Sequence, residues 1–381
     1  MVATDQKMIN EIYDHLADEL NITETMAERA IESYQAVGKW LGDCEPQLDV
    51  MIMPQGSFSL GTVTKPINDK DEYDIDLVCL LKNGQQLDEY QIKNVVGKRL
   101  KEHLRYEKML TTEGKRCWTL QYEAFHMDIL PCVPQNAIFM KPLLTEIRLT
   151  HKEAVNIYEP RYSNPEGYHA WFEEQMCIML SEQKKFFATK RNVDISEVPT
   201  RLVRTPLQKA VQLLKRHRDI KYGTNDDAPI SIIITTLAAL SYDNESTVYE
   251  TLERILNHME TYIENRNGVY WIANPVMPEE NFADKWANVP QKRKAFFSWL
   301  SDAKNDILQK PISARGLDDV AVAISDGFGK SLSERTIKNI GFDTRDQRNA
   351  GHLFVSWLKG GITTEKATNT NKVGGHTFFG T

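Results

Sequence analysis

The sequence predicts an α+β protein, and three observations lead to this fold class. Residues 5–41 repeat apolar side chains at the spacing of amphipathic helices. Between about 47 and 135, short stretches rich in Val, Ile, Leu and aromatic residues alternate with turns, around one predicted helix at roughly 85–108. After about 165 the patterns are almost wholly helical.

The clearest helix of the second half begins after Thr205. Thr205 is the predicted N-cap, Pro206 takes the first helical position, and Gln208 completes a capping box. The apolar run at 230–240 predicts a buried helix, and the pattern at 291–307 predicts another.

A group of prolines over 131–165 marks the change between the two halves. Because proline cannot donate to a strand ladder, we expect irregular surface connections and a lobe boundary there. The end of the chain has few apolar residues apart from Phe378 and Phe379, which predicts a mobile tail. The predicted domains are N-terminal helices bracing two lobes at 1–45, a sheet-containing lobe at 46–165, a helical lobe at 166–359 and a flexible tail at 360–381.

The amino-acid composition disfavours several classes of function. The 381 residues include 46 Lys and Arg against 53 Asp and Glu, a formal net charge of −7. Since affinity for long nucleic acid comes mainly from neutralising phosphates, this balance disfavours such a partner but permits a small anion. The start lacks the apolar core of a signal peptide and no run is long enough to span a membrane, so we expect a cytoplasmic protein without a membrane partner. Five cysteines without a CxxC pair indicate neither a disulfide framework nor a zinc ribbon.

The stretch YDIDLVCLL, residues 73–81, is typical of a strand. Its alternation places Asp74 and Asp76 on one face, ~7 Å apart along the chain. Two carboxylates this close repel each other unless a divalent cation lies between them, and hard oxygen ligands suit Mg²⁺ or Mn²⁺. A second predicted strand, EAFHMDILPCVP, adds Asp128. Three carboxylates from adjacent strands would hold the two ions of a phosphoryl- or nucleotidyl-transfer site.

A glycine–serine pair precedes these aspartates. Gly56 lets the backbone approach a ligand closely, and the N–H groups that follow, with the Ser57 hydroxyl, can bind a triphosphate. Each feature alone has an ordinary explanation: a surface turn for Gly-Ser, and a solvated or salt-bridged edge for D-x-D. Their order within one segment favours catalysis. We do not expect Asp71 or Glu72 to be ligands, because neither pairs with another acid in the i, i+2 alternation of an apolar strand, so that the alternation of acids begins at Asp74.

These motifs resemble those of the polymerase-beta-like nucleotidyltransferases, whose signature is a Gly-Ser turn, an acidic-x-acidic strand and a third acid on a neighbouring strand. Within that superfamily the chain is similar to the bacterial cGAS/DncV-like enzymes (CD-NTases), which synthesise cyclic oligonucleotides. The similarity covers roughly residues 50–300 and runs, in order, through GSFSLGT, DEYDIDLV, LQKAVQLLKRHRD, APISIIITTLAAL and NPVMPEENFADKW.

The resemblance implies a nucleotidyltransferase lobe with a mixed sheet and helices, a helical lobe like that of oligoadenylate synthases, and an active site in the cleft between them. It implies that Asp74, Asp76 and Asp128 are catalytic and bind two Mg²⁺ or Mn²⁺ ions. The implied nucleotide- and triphosphate-binding residues are Gln55, Gly56, Ser57, Lys215 and Ser231. For the last two, the alternatives are a solvated helix end for Lys215 and a helix cap for Ser231.

The implied activity is the metal-dependent joining of NTPs (ATP, GTP or a pyrimidine NTP) into a cyclic di- or trinucleotide second messenger for anti-phage (CBASS-type) signalling. Two alternatives are a template-independent linear oligonucleotide synthase and a non-catalytic nucleotide-binding scaffold. The lack of a Cys/His cluster and of a basic face argues against activation by DNA. The last residues, TFFGT at 377–381, are loosely similar to tails that a ubiquitin-like conjugation apparatus joins to targets. A regulatory or conjugating partner of the tail is therefore one interpretation, but the last residue is Thr381, which favours the alternative of an ordinary disordered chain end.

Overall fold

The structure is a computed structural model in which the chain forms two compact units. The first unit is Leu20–Asp302, and the second combines Met1–Glu19 with Ala303–Thr381. The predicted lobe boundaries at 46–165 and 166–359 stay a prediction. The structure describes residues 6–43, 46–67, 72–135, 145–314, 317–356, 361–363, 366 and 370–373.

The helices and strands alternate early in the chain, and helices dominate later. The helices are α1 (Gln6–Leu20), α2 (Glu24–Gly42), α3 (Gly56–Ser59), α4 (Glu89–Lys101), α5 (Leu104–Met109), α6 (Pro165–Gln175), α7 (Cys177–Arg191), α8 (Pro206–Tyr222), α9 (Ser231–Ser241), α10 (Val248–His258), α11 (Lys285–Asn288), α12 (Pro290–Ala303), α13 (Lys310–Ser313), α14 (Leu317–Phe328) and α15 (Lys330–Asn349). The strands are β1 (Val50–Gln55), β2 (Tyr73–Leu81), β3 (Trp118–Gln121), β4 (Phe125–Pro134), β5 (Ile147–Ala154), β6 (Ile157–Ser163), β7 (Glu264–Arg266), β8 (Val269–Trp271), β9 (Ala273–Asn274), β10 (Met277–Asn281), β11 (Phe354–Ser356), β12 (Gly361–Thr363) and β13 (Thr370–Lys372).

The larger unit is built on a six-stranded mixed sheet. Its order is β1-β2-β4-β5-β6, and β3 pairs with the first half of β4. Strands β2 and β4 are parallel, whereas β1 is antiparallel to β2 and β5 is antiparallel to β4. A mixed sheet with many helices is the architecture that the sequence predicts, so the α+β fold class is confirmed.

The alternation of β2 separates a packing face from a polar face. Ile75, Leu77, Cys79 and Leu81 are buried in one apolar cluster with residues of α2, α4 and α5. The intervening positions begin with the two aspartates and continue with Val78 and Leu80, which belong to a second, smaller cluster with Cys132, Ile147 and Leu149. The strand is therefore anchored in the core on both faces at its C-terminal end, and only its N-terminal end presents carboxylates.

The capping box predicted for α8 is present. The Thr205 hydroxyl accepts from the Gln208 N–H, and the Gln208 side chain accepts from the Thr205 N–H. Pro206 takes the first helical position. The run at 230–240 forms the buried helix α9, and residues 291–307 form most of α12 and a π-helical turn that follows it.

Two sequence expectations differ from the structure. The single helix predicted at 85–108 is two helices, because α4 ends at Lys101 and α5 begins after His103, whose ring accepts from the Tyr106 N–H. Where the structure describes it, the proline-containing stretch at 131–165 is mostly strand, namely the end of β4 and the β5–β6 hairpin. Pro160 lies on β6 at the edge of the sheet, where a missing N–H is tolerated. Pro131 and Pro134 lie within β4 and do not interrupt it.

Helix α8 is bonded to the irregular segment at 60–65, which we call the 60–65 loop. Four long polar side chains on the helix donate to backbone carbonyls of the loop, and all four side chains belong to buried residues. The bonds are Gln208 Nε2 to Leu60 O (2.9 Å), Gln212 Nε2 to Val63 O (2.6 Å), Lys215 Nζ to Thr62 O (3.0 Å) and Arg216 Nη2 to Lys65 O. Several N–H groups of the loop donate to other backbone carbonyls, among them Thr62 N to Ser57 O and Lys65 N to Leu20 O, whereas its own carbonyls accept from side chains of the helix. The helix therefore helps to fix the path of the loop.

The second unit is held by contacts between α1 and the C-terminal helices. The Tyr13 hydroxyl donates to Ile307 O at 2.6 Å, and its ring meets the Phe328 ring edge-on at 6.1 Å. Glu19 accepts from both Arg335 and Asn339 on α15. The N-terminal helix is thus part of the core of this unit.

The flexible tail predicted at 360–381 stays a prediction, and the described residues of this stretch include two short strands. β12 and β13 both pair with β11, on opposite sides of it. Main-chain hydrogen bonds form a sheet without an apolar pattern, which is why composition misses these strands. The terminal stretch 377–381 lies outside the described residues.

We expect the Gln208→Ala substitution to lower the free energy of unfolding by about 1–3 kcal/mol, because it removes the Gln208 side-chain half of the capping box and a buried bond to the 60–65 loop. Urea unfolding followed by circular dichroism measures the change. Asn257→Ala, an exposed amide on α10, is the matched control and should cost less than Gln208→Ala. Equal losses in the two variants would contradict the role given to Gln208.

Candidate active site

A cavity of about 770 Å³ opens in the larger unit between the polar end of β2 and the helices α8 and α9. The sheet side contributes the start of β2 and the short helix α3. The opposite side contributes the last turns of α8 and the first turn of α9. The residues that carry the following argument are Gly56, Ser57, Thr62, Glu72, Asp74, Asp76, Lys215, Arg218 and Ser231, all of which line the cavity.

Gly56 is required by geometry where β1 ends and α3 begins. Its φ is +60°, a value that residues with a Cβ rarely adopt, and a Cβ built there would overlap the Asp76 carboxylate. The close approach puts the first turn of α3, with Ser57, beside the aspartates. Gln55 precedes it as the N-cap and pairs with Asp76 across β1 and β2, but its side chain makes no capping bond and does not line the cavity.

The three predicted carboxylates lie on neighbouring strands. Asp76 pairs with Asp128 in the parallel register of β2 and β4, so the two lie side by side across the strands. Asp74 lies two residues before Asp76 on the same face. Asp128 is not among the residues that line the cavity, and it accepts a short hydrogen bond of 2.5 Å from the Thr119 hydroxyl on β3.

Burial, with the charges of neighbouring acids, raises the pKa of two of these carboxyls. Burial raises the pKa of Asp76 to about 6, and the nearby charges of Asp128 and Asp74 add to the rise. The pKa of Asp74 is also raised, first by removal from water and then by Asp128. The Asp74 side chain is 76% accessible and lines the cavity. No arginine or lysine forms an ion pair with the Asp74 or Asp76 side chains among the described residues.

Lys215 faces the carboxylates from α8. It is only 8% exposed, and burial lowers its pKa to about 8, with a smaller contribution from the nearby charge of Arg218. Its ammonium group donates to Thr62 O, so it is neither a solvated helix end nor paired with an acid. The Thr62 hydroxyl is buried and has no hydrogen-bond partner within the described part of the chain, and Thr62 lines the cavity.

Ser231 occupies the first position of α9, and the N-cap is Ile230, so Ser231 is not the helix cap that the alternative interpretation predicts. Its hydroxyl accepts from Arg218 Nη1 at 3.0 Å. Arg218 also donates to Pro229 O at 2.9 Å and to Asp219. Arg218 is a cavity-lining cation that the sequence analysis missed; it lies three residues after Lys215, and that helical spacing was the available signal.

Glu72 and His126 were also missed. Glu72 lines the cavity, and its carboxylate contacts His126 Nε2, while His126 Nδ1 lies 3.7 Å from Asp74 Oδ1. The expectation that the alternation of acids begins at Asp74 is therefore wrong, since Glu72 is two residues before it on the same face. The spacing of these acids at every second residue is visible in the sequence EYDID, residues 72–76, but the sequence analysis assigned Glu72 to the loop that precedes the strand. Asp71 lies outside the described residues.

The donor set fits a hard divalent cation. Asp74 and Asp76 are oxygen donors whose pKa values are raised by burial and, to a smaller extent, by neighbouring acids, and a cation between them would favour their charged forms. Within the ranges described, no three His, Cys, Asp or Glu side chains are close enough together to hold a metal as they stand. Asp128 is turned to Thr119 and Asp74 faces His126, so these two would have to rotate to share an ion.

Comparison with known proteins agrees with this site. Residues 50–131, which contain α3 and all three aspartates, match the family model described as cyclic GMP-AMP synthase DncV-like, nucleotidyltransferase domain. A c-di-GMP synthase from Roseivirga ehrenbergii is 31% identical over 388 residues, which cover 96% of this chain and 95% of the relative. The chain belongs to the cGAS/DncV-like nucleotidyltransferases. The cyclic dinucleotide synthase CdnG of Bradyrhizobium diazoefficiens is a more distant relative, 23% identical over 352 residues, which cover 87% of this chain and 82% of the relative.

Solved structures of this family share the fold. The Bradyrhizobium diazoefficiens CD-NTase CdnG, in complex with GTP, superimposes with a TM-score of 0.70 at 20% identity, covering 88% of this chain and 99% of that one. The Vibrio cholerae DncV cyclic AMP-GMP synthase gives 0.61 at 15% identity, covering 86% and 97%. This nucleotidyltransferase therefore has the polymerase-beta-like fold of the CD-NTases. None of the helices in its described part has the length and apolarity that a membrane crossing requires.

We expect Gly56→Ala to reduce nucleotidyl transfer by about a hundredfold, since a displacement of the reacting groups by about 1 Å has effects of that size. The new methyl group must push α3 away from Asp76. Initial rates of pyrophosphate release measure the change. Gly268→Ala is the matched control, because Gly268 also has a positive φ (+88°) but has no neighbouring atom within 4 Å of the place where a Cβ would lie. Similar rates for both variants would contradict the argument.

Proposed function

We propose that this chain is a metal-dependent nucleotidyltransferase that joins two NTPs into a cyclic dinucleotide. The observation that carries the proposal is the placement of Asp74 and Asp76 beside the Gly56–Ser57 turn, across one cavity from Lys215. The chemistry of NTPs needs acids that can bind cations, backbone N–H groups that can bind phosphate, and a cation such as a buried ammonium group.

The reaction has two similar steps. A ribose hydroxyl of one nucleotide attacks the α-phosphorus of a second NTP, a phosphodiester bond forms, and the bond to pyrophosphate breaks. A second attack by the other ribose closes the ring and releases a second pyrophosphate. The protein contributes positioning and charge neutralisation, with no covalent enzyme intermediate.

The residues of the cavity divide these tasks. Ser57 and the N–H groups of α3 bind the triphosphate of the donor nucleotide, and Gly56 lets it approach. Lys215, with Ser231 and Arg218, neutralises the phosphate charge from the opposite side. Asp74, Asp76 and Asp128 would hold two Mg²⁺ or Mn²⁺ ions, which neutralise the phosphates and activate the attacking hydroxyl. Gln55 supports the turn as its N-cap rather than through its side chain.

The raised pKa of Asp74 and Asp76 supports catalysis over a nucleotide-binding scaffold. Burying like charges together costs folding free energy, and a protein that only binds nucleotides gains nothing from that cost. The names of two relatives support a cyclic product over a linear one. We therefore propose GTP as the substrate and c-di-GMP as the product, by similarity to the Roseivirga relative.

A second-messenger role for the product in anti-phage (CBASS-type) signalling in the cytoplasm is part of the proposal, on the resemblance to the family. A regulatory protein partner is a further part of it. The CdnC protein of Escherichia coli has been solved in complex with a HORMA protein, which shows that a member of this fold assembles with another protein. A tail-directed conjugation partner would act on residues 377–381.

We expect Asp76→Asn to lower the rate of nucleotidyl transfer by about a hundredfold or more, the scale of losing one electrostatic group from an active site. The free energy of unfolding should not fall, because the substitution removes a buried like charge. Rates from labelled GTP and urea unfolding of the same preparation give both quantities. Undiminished product, or a loss of rate that only follows unfolding, would refute the catalytic role.

We expect transfer to stop when EDTA removes divalent ions and to return with added Mg²⁺ or Mn²⁺, because hard oxygen ligands select such ions. With all four NTPs present, mass spectrometry of the phosphatase-treated product should show c-di-GMP. A cyclic product keeps its mass after the treatment, since it has no terminal phosphate. A product that loses phosphate would support the linear alternative, and activity in EDTA would contradict metal dependence.

A further inference from the structure

We propose that Glu72 binds the ribose hydroxyl of the acceptor nucleotide that does not react, and thereby selects which hydroxyl attacks. His126 is a positioning residue that holds Glu72 in place. This inference rests on the proposed function, and it assigns to the same cavity a specificity that none of the predicted site residues explains.

The position of Glu72 follows from the alternation of the chain. Glu72, Asp74 and Asp76 lie at every second residue, so all three face the cavity, and all three line it. Neighbouring positions in this row are ~7 Å apart along the chain. A ligand held at Asp74 is therefore within reach of the longer Glu72 side chain, and Asp76 lies on the far side of Asp74 from it.

The orientation of Glu72 is fixed by two side chains of the neighbouring strands. One carboxylate oxygen contacts His126 Nε2 on β4, and the other lies 3.5 Å from Gln121 Nε2 on β3. Its side chain is 21% exposed, so these contacts are made in a partly enclosed setting. Each carboxylate oxygen has two acceptor positions, and a neighbour occupies only one of them. Glu72 can therefore still accept a hydrogen bond from a ligand.

The chemistry of the acceptor nucleotide specifies what that ligand group is. A ribose carries two hydroxyl groups on adjacent carbon atoms, and one of them must lie at Asp74 and Asp76 to attack. The other is displaced by one carbon atom and needs a partner of its own, or the two hydroxyls would compete for the reactive position. A carboxylate that accepts from a ribose hydroxyl is a common means of nucleotide recognition. Glu72 is the cavity-lining acid that continues the row beyond Asp74.

His126 ties this recognition to the catalytic acids. It pairs with Asp74 across the parallel strands, and its ring lies between Asp74 and Glu72. The ring thus keeps two carboxylates apart that would otherwise repel each other. A change at His126 should move Glu72 without removing a group that contacts the substrate.

The test compares acceptor nucleotides that lack one hydroxyl. Labelled GTP serves as donor, with excess GTP, 2′-deoxy-GTP or 3′-deoxy-GTP as acceptor, and initial rates of the first linear dinucleotide are measured by mass spectrometry. One analogue lacks the attacking group and gives no product. The other lacks only the non-reacting hydroxyl, and wild type should use it about ten- to a hundredfold less well than GTP, the size of a hydrogen bond to a charged group.

In Glu72→Ala we expect that penalty to disappear, because the hydroxyl and its acceptor contribute only when both are present. The mixture of 2′–5′ and 3′–5′ linkages made from GTP should broaden, as read by a linkage-specific nuclease. In His126→Gln the penalty should shrink while the variant remains folded. Glu123→Gln, an exposed glutamate in the turn between β3 and β4, is the control and should behave as wild type.

Three results would overturn the inference. The deoxy penalty could be the same in Glu72→Ala as in wild type, the linkage could stay uniform, or the variant could change the choice between GTP and ATP instead, which would assign Glu72 to the base. If wild type transfers no nucleotide at all, the proposed function fails, and that outcome is distinguishable from these three because each of them requires an active wild type.

Discussion

The cavity depends on the hydrogen bonds that α8 makes to the 60–65 loop. The 60–65 loop belongs to no helix or strand, so its buried carbonyls need donors from elsewhere. Gln208, Gln212 and Lys215 supply them, and α8 is itself fixed by its capping box and an almost fully buried face. The same bonds therefore order the loop and hold α8 opposite the sheet, which keeps the cavity open between them.

The second constraint on the site is the electrostatic cost of holding several carboxylates close together. Asp74 and Asp76 are close to Asp128, and Gly56 brings the backbone against the Asp76 carboxylate. The surrounding core is strong enough to maintain this arrangement, because β2 is buried on both faces beyond the aspartates. The buried Lys215 moderates the negative charge without forming an ion pair, so the carboxylates stay available to a cation and the ammonium group to a phosphate.

The sequence predicted the parts of the molecule that local patterns determine. The capping box at Thr205, the buried run of α9 and the alternation of β2 are local, and the structure has each of them. The β5–β6 hairpin was missed because prolines are informative only once an edge strand is known, and β12 and β13 because backbone pairing leaves no apolar pattern. At the site, Arg218 and Glu72 were overlooked although their spacing was visible. The Thr119–Asp128 bond was not predictable, since it depends on the register of two strands.

The parallel pairing of β2 with β4 explains how chemistry and recognition can share one face of a sheet. Both strands run the same way, so Asp76 lies beside Asp128 and Asp74 beside His126. Two acids side by side attract a cation, whereas Asp74 already has the His126 imidazole 3.7 Å from its carboxylate. We therefore propose metal-assisted transfer at the buried end of the row and binding of a sugar at the outer end, with Glu72. On this proposal, the position of the ribose along β2 determines which of its hydroxyls reaches the reactive phosphorus.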